Sequence, residues 1–254
     1  MQTTKLVRFI QKHYLGGLIK SALWRKYGDT IHVSVSNNEG ISRKPNFSAS
    51  VKLKDVYGIE NGDIGIGDLN DVQRFVKKSS ADTISLSLEK FPSGEVAALK
   101  VSADGVHFRH QTQCVDEFKT LPLIKPDCNW DAAIVLDDYI KEKFPKAHSA
   151  LGNDSGGLFT VAVSKRTNKL CIAFGYSEKR LCDSIRMSVS CVNGLDTIKR
   201  PVAFEAVTLK RILKANPEFK DPVLYVSEAG FASIDFSDNE LDARYVLKEI
   251  EVED

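Results

Sequence analysis

The chain has 254 residues, 43% hydrophobic and 27% charged, with a formal net charge of +1. That balance supplies apolar material for one or two cores, and it excludes a chain that is disordered throughout or cationic over its whole surface. No run of about 18 apolar residues is present to cross a membrane. The first residues lack the continuous apolar stretch and small-residue cleavage site of a secretory leader.

Five cysteines, Cys114, Cys128, Cys171, Cys182 and Cys191, make an odd count at wide spacing. Without a CxxC pair, neither a zinc site nor a thioredoxin-type motif is supported. Cys171 and Cys191 lie in apolar, strand-like surroundings and read as small buried hydrophobes. A reducing intracellular location, cytoplasmic, fits this usage.

Taken in chain order, the first element is a helix from Thr3 to about Tyr14, stopped by Gly16-Gly17. Strands follow at Thr30 to Ser36, where Ile31, Val33 and Val35 alternate with polar residues, and at Phe47 to Leu53. The spaced glycines of Gly58 to Asp68 read as a loop; they match neither a dinucleotide-binding fingerprint nor a phosphate-binding P-loop. A second helix runs from Asp68 to Lys78, with Asp68 as N-cap. Thr83 to Leu88, Val96 to Val101 and Val106 to Thr112 read as strands, the last two joined by the turn Ala103-Asp104-Gly105.

The second half begins with a helix from Asp131 to about Lys143, ended by Pro145. Strands are expected at Leu158 to Val163, Lys169 to Phe174 and Ser184 to Val192. A fourth helix spans Ala203 to Ala215. Val223 to Val226, Ala232 to Phe236 and Arg244 to Ile250 close the chain as strands, before an acidic end at Glu249, Glu251, Glu253 and Asp254. The order helix, strands, helix, strands thus occurs twice. It predicts an N-terminal domain over 1–117, a linker over 118–130 and a C-terminal domain over 131–254, in an α+β fold with helices on one face of the sheets.

Three of the four helices place their cations away from the apolar arc, and one does so in part. Lys5, Arg8 and Lys12 share a stripe on the first. Arg74, Lys77 and Lys78 oppose Leu69, Val72, Phe75 and Val76 on the second. Lys141 marks the third less cleanly, since Lys143 falls on the apolar arc, and Lys146 follows in the loop. Lys210, Arg211 and Lys214 oppose Ala206, Leu209, Ile212 and Leu213 on the fourth. One basic helix face is ordinarily just solvated; three clean faces and one partial face in four helices suggest a surface that meets phosphates without reading bases.

The segments GIGDLNDVQRFVKK, DTISLSLE and VAALKVSADGVHFRH, with the closing PVLYVSEAGFASIDFSDNELDARYVLKEIEVED, resemble a DNA polymerase sliding clamp. The style is that of the two-domain bacteriophage clamps and, more distantly, of proliferating cell nuclear antigen. The resemblance implies two β-α-β-β-β-repeat domains per subunit and a homotrimeric ring with helices lining the hole. It implies double-stranded DNA, a DNA polymerase and a clamp-loading ATPase as partners, and no cofactor or metal. Subunit-interface candidates are Val106 and Phe108 on one edge strand and Ile185 and Val189 on the other. A partner-peptide pocket would use Leu121, Leu123, Ile124, Pro222, Tyr245, Val246 and Leu247. The segment Asn37 to Asn46 and the Cys182-Asp183 region have no counterpart in that pattern.

Enzymatic readings fare worse. Ser155 in GNDSGGL is like a serine-protease nucleophile, but His13, His32, His107, His110 and His148 all lie outside the context of a catalytic base. His107 and His110 fall on opposite faces of one strand, and neither Asp137-Asp138 nor Asp235 with Asp238 forms a metal pair. A non-enzymatic clamp is the expectation. A monomeric DNA-binding accessory factor of the same fold and an unrelated α/β enzyme are the alternatives.

Overall fold

In the computed structural model the described residues are 1–37, 45–118, 123–151, 157–164, 166–177, 183–196 and 198–251, with 193–196 described as backbone only. The chain divides into two compact units, Met1–Leu123 with Ser237–Arg244, and Ile124–Phe236 with Tyr245–Asp254.

The first unit contains α1 (Thr3–Tyr14), β1 (Ala22–Tyr27), β2 (Thr30–Ser36), β3 (Phe47–Leu53), β4 (Gly62–Ile66), α2 (Leu69–Lys78), β5 (Ser85–Lys90), β6 (Val96–Ala103) and β7 (Val106–Gln111). The antiparallel order β4-β1-β2-β3 forms one sheet and β5-β6-β7 another. Ile31, Val33 and Val35 are buried, as their alternation demands. The core centres on Trp24, against which Phe9 packs edge-on at 5.2 Å. Asp68 caps α2 by accepting hydrogen bonds from the Asn70 and Asp71 amides at 2.8 and 3.3 Å. Leu15 and Gly16, both with positive φ, end α1 at the predicted place.

Two strands of this unit differ from expectation. β1 carries no alternation, because Ala22, Leu23 and Trp24 are all buried in a strand flanked by β2 and β4. β4 lies within the run read as a loop. Its Gly65 is needed for close approach: an added Cβ would collide with the Gln113 carbonyl oxygen and stand 2.9 Å from the Phe118 ring.

The second unit contains β8 (Ala132–Val135), α3 (Asp138–Ala150), β9 (Leu158–Val163), β10 (Leu170–Phe174), β11 (Ile185–Ser188), β12 (Ser190–Asp196), β13 (Val202–Glu205), α4 (Ala206–Ala215), β14 (Val223–Ser227) and most of β15 (Phe231–Ser237). The last strand, β16 (Leu241–Lys248), contributes its first half to the first unit and its second half to this one. The sheet orders here are β12-β8-β14-β15 and β11-β10-β9-β13. Phe144 of α3 meets Phe159 and Phe174 edge-on at 5.3 and 4.9 Å, joining helix to sheet.

Three boundaries differ from those the sequence predicts. The run DAAIVL read as helical is strand β8, buried at Ala132, Ala133 and Ile134; a short, fully buried apolar run has no periodicity to separate strand from helix. Helix α3 starts at Asp138, capped by Asp137, and continues through Pro145. The run starting at Ala203 likewise divides into β13 and α4. β8 has a rudimentary counterpart in the first unit, the single bridge between Gln2 and Thr83 just before α1. Cys171 is buried, its thiol near the Ala162 carbonyl, whereas Cys191 is only half-buried.

Among the described residues no helix is long and apolar enough to cross a membrane. The serine of GNDSGGL lies outside the described residues, as do most of the Asn37 to Asn46 segment, Cys182, and Glu253 and Asp254.

Candidate nucleic-acid interface

Helices occur in pairs within each unit. α1 lies against α2, where Tyr14 Oη and Asn70 Oδ1 are 3.4 Å apart, and α3 lies against α4. α2 buries Leu69, Val72 and Val76 and exposes Arg74, Lys77 and Lys78. Arg74 is paired with Asp71 at 2.7 Å on the exposed surface. α4 buries Leu209 and Ile212, exposes Lys214, and holds Lys210 and Arg211 half-buried. Both helices therefore present cations opposite their packed faces, as the sequence predicts.

α3 is more self-neutralised. Lys146 bonds Glu142 at 2.7 Å and Lys143 adds a 3.3 Å contact; these hydrogen bonds hold the Glu142 carboxyl below its ordinary range. Lys141 is turned onto the Phe219 carbonyl oxygen at 3.0 Å.

The stripe on α1 departs from expectation. Lys12 is fully buried and Lys5 is 8% exposed, 4.0 Å from Asp55. Arg8 is half-buried and bonded to Asp238 and Glu240. The reason lies in Phe9, which sits only about 40° around the helix from Lys5 and leads the buried arc through His13, Leu6 and Ile10. A wheel read from Leu6, Ile10 and Tyr14 alone misses it.

Among the described residues, the two candidate interface strands end their sheets. β7 has β6 as its strand neighbour, and β11 has β10. Val106 is 57% exposed. Phe108 is half-buried and stacked on Phe75 of α2, with centroids 4.8 Å apart. Ile185 is half-buried in β11. Val189 is half-buried at the break between β11 and β12, so the predicted strand Ser184 to Val192 is two strands in different sheets.

The peptide-pocket candidates divide sharply by burial. Tyr245, Val246 and Leu247 are buried in β16, and the Tyr245 hydroxyl lies 3.1 Å from Asn216 Nδ2. Burial drives that phenol's pKa upward. Pro222 is buried at the start of β14, its carbonyl accepting from the Leu136 amide at 2.8 Å. Leu123 is 40% exposed and Ile124 half-buried, while Leu121 lies outside the described residues.

A scan against protein-family models and a search of curated proteins give no match. The fold does match solved structures. An A. fulgidus PCNA bound to the C-terminal region of FEN-1 superposes with a TM-score of 0.71 at 16% identity, over 100% of this chain and 98% of that one. Proliferating cellular nuclear antigen from Entamoeba histolytica superposes with a TM-score of 0.66 at 13% identity, over 98% and 96%. The likeness runs through both units: the chain has the sheet-rich α+β fold of proliferating cell nuclear antigen, the DNA sliding clamp.

Proposed function

We propose that this protein is a DNA sliding clamp, a processivity factor that encircles duplex DNA and tethers a DNA polymerase. The observation that carries the reading is the full-length likeness to the clamp fold, spanning both units. The cations of α2 and α4 opposite their packed faces, exposed on α2 and half-buried or exposed on α4, support it. Arg74, Lys77, Lys78, Lys210, Arg211 and Lys214 face phosphates, with Lys146 as a weaker contributor.

The mechanism is topological. A closed ring leaves duplex DNA only by opening or by sliding off an end, so weak, sequence-independent phosphate contacts suffice and also permit movement. Three copies close the ring head to tail, the edge strand β7 of one copy pairing with β11 of the next. A clamp-loading ATPase opens the ring, and partner enzymes supply all chemistry; the clamp itself needs no cofactor. The A. fulgidus clamp is bound to a C-terminal region of FEN-1. By that likeness, short partner segments dock here at the connector around Leu123 and Ile124.

The test is retention on loaded circular DNA. A clamp stays on a nicked circle through a high-salt wash and is released when the circle is linearised. Equal retention on circular and linear DNA, with a monomeric molar mass, would instead identify an affinity-held accessory factor.

A further inference from the structure

The first unit contains a cavity of about 490 Å³ that the clamp reading does not use. It opens beside the start of β4, between the β5–β6 hairpin and the chain leaving β7, and its lining includes Asp63, Phe91, Glu95, Val96 and Asp116. Its volume falls within the range of ordinary ligand sites.

One wall is the edge of a sheet. β1 is the one strand neighbour of β4 among the described residues. On the other side of β4, the Gly65 carbonyl accepts from the Gln113 amide at 2.9 Å. Backbone groups of alternate residues in a strand point the same way. The Asp63 amide and carbonyl therefore point away from β1, toward the cavity. Val96 and Leu88 close the space beside Gly62, where an added Cβ would meet them at 3.4 and 3.6 Å. Phe91 stands 54% exposed at the rim, an apolar face next to the strand edge at Asp63.

The charge around this space is lopsided. Asp63, which accepts from the Tyr27 hydroxyl at 3.2 Å, and Glu95 line it against Lys90, and Lys90 is itself paired with Glu60 at 2.6 Å. We infer that this cavity receives an extended, basic segment of a partner protein, which adds a strand to β4. Its cationic side chains meet the carboxylates and its alternate apolar side chains meet Phe91 and Val96.

The site is tested on the isolated chain without DNA, so its outcome is independent of the clamp reading. The probe is a fluorescent peptide alternating lysine with valine and phenylalanine. Controls are the same peptide methylated at alternate backbone amides and a version with glutamate for lysine. The inference expects saturable binding of the lysine peptide, weakened about tenfold or more by amide methylation. It expects comparable weakening by Asp63→Lys and by Glu95→Lys, and no binding of the glutamate peptide. Glu95 sits on an exposed hairpin, so its variant reports on the site even if Asp63→Lys fails to fold. Absence of binding up to about 1 mM, or binding indifferent to both methylation and charge reversal, overturns it.

Discussion

The Arg8 guanidinium on α1 reaches Glu240, 232 positions away in sequence, at 2.9 Å and also bonds Asp238. Lys54 continues the network, bonding Asp242 at 2.6 Å and the Asp238 carbonyl oxygen at 2.9 Å. The turn before β16 is thereby tied to the first helix and to the end of β3. Desolvation pushes the Asp238 carboxyl upward, but the Arg8 hydrogen bond and the Glu240 and Leu241 amides outweigh it and hold its pKa below the ordinary value. A lowered carboxylate pKa contributes stability above the unfolded value of about 4, lost as pH falls through the folded one. Arg8→Ala should lower the unfolding free energy by about 1–2 kcal/mol, since the pair is partly screened. Denaturant titration at pH 7 and pH 3 checks this, with a smaller difference between wild type and variant at the lower pH.

His13 works in the same direction through a different cause. It is fully buried between Phe9 and Trp24, and its Nε2 accepts from the Trp24 indole at 3.1 Å. Burial lowers its pKa to about 3. The unfolded chain therefore takes up a proton near pH 6.5 that the folded one refuses, and stability falls as pH drops from there toward 3. The slope should reach up to about 1.4 kcal/mol per pH unit. His13→Gln keeps an acceptor for Trp24 and cannot titrate, so it should flatten stability between pH 6 and about 4. His32, His110 and His148, lowered chiefly by desolvation, leave a residual slope.

For DNA, the exposure pattern separates the cations. Arg74, Lys77, Lys78 and Lys214 stand in solvent, whereas Lys5 and Lys12 are buried. Reversing the four exposed residues to Glu should shorten the half-life on DNA with little change in melting temperature. The slope of log affinity against log salt should become shallower by about one for each phosphate that the variant no longer neutralises. Lys12→Glu should instead lower stability, by placing a carboxylate where no solvent reaches. Salt-dependent DNA retention measured beside thermal unfolding distinguishes the two groups.

These distinctions mark where the sequence can be read. The faces of α2 and α4 are legible because one arc is apolar and the other is not, and the Asp68 cap fixes the phase. Alternation exposes β2 and β3. β8 and β1 are hidden because burial on both faces removes alternation, and β4 because its glycines serve close approach and look like loop. The α1 stripe misleads for a tertiary reason: local spacing puts Lys5 and Lys12 together, but burial next to Phe9 depends on what packs against the helix. The role of Arg8 depends on a partner 230 positions away, which no local pattern shows.

In the proposed ring, closure would depend on β7 and β11. Val106 is 57% exposed, so a charge there costs the single copy little, about 0.5 kcal/mol or less. In an assembled edge it would be buried against a neighbour. Val106→Asp should therefore give folded monomers, as should Ile185→Asp in β11, measured by light scattering at micromolar concentration. Phe108 is a poorer probe because it stacks on Phe75, so its loss also weakens the fold. A proline at Val189 falls in the break between β11 and β12 and should disturb pairing less than one at Arg186, which is paired with Ala173. Trimers that survive both aspartates would place the interface elsewhere.

The connector and the last strand make opposite predictions about partner peptides. Tyr245 is wholly buried, meets Phe236 edge-on at 5.7 Å and is hydrogen-bonded to Asn216. Tyr245→Ala should open a cavity and cost about 3–5 kcal/mol of stability. Tyr245→Phe removes only the hydroxyl and leaves Asn216 bonded to the Ile212 carbonyl at 2.8 Å, so about 1 kcal/mol is expected. Leu123, 40% exposed, carries little of the fold. If the connector receives partner segments, Leu123→Ala should reduce affinity for a polymerase C-terminal peptide by about 2 kcal/mol or more while the melting temperature stays within a degree or two. Calorimetry on the three variants separates the roles. Loss of peptide binding in Tyr245→Phe with Leu123→Ala unaffected would move the site away from the connector and onto the last strand.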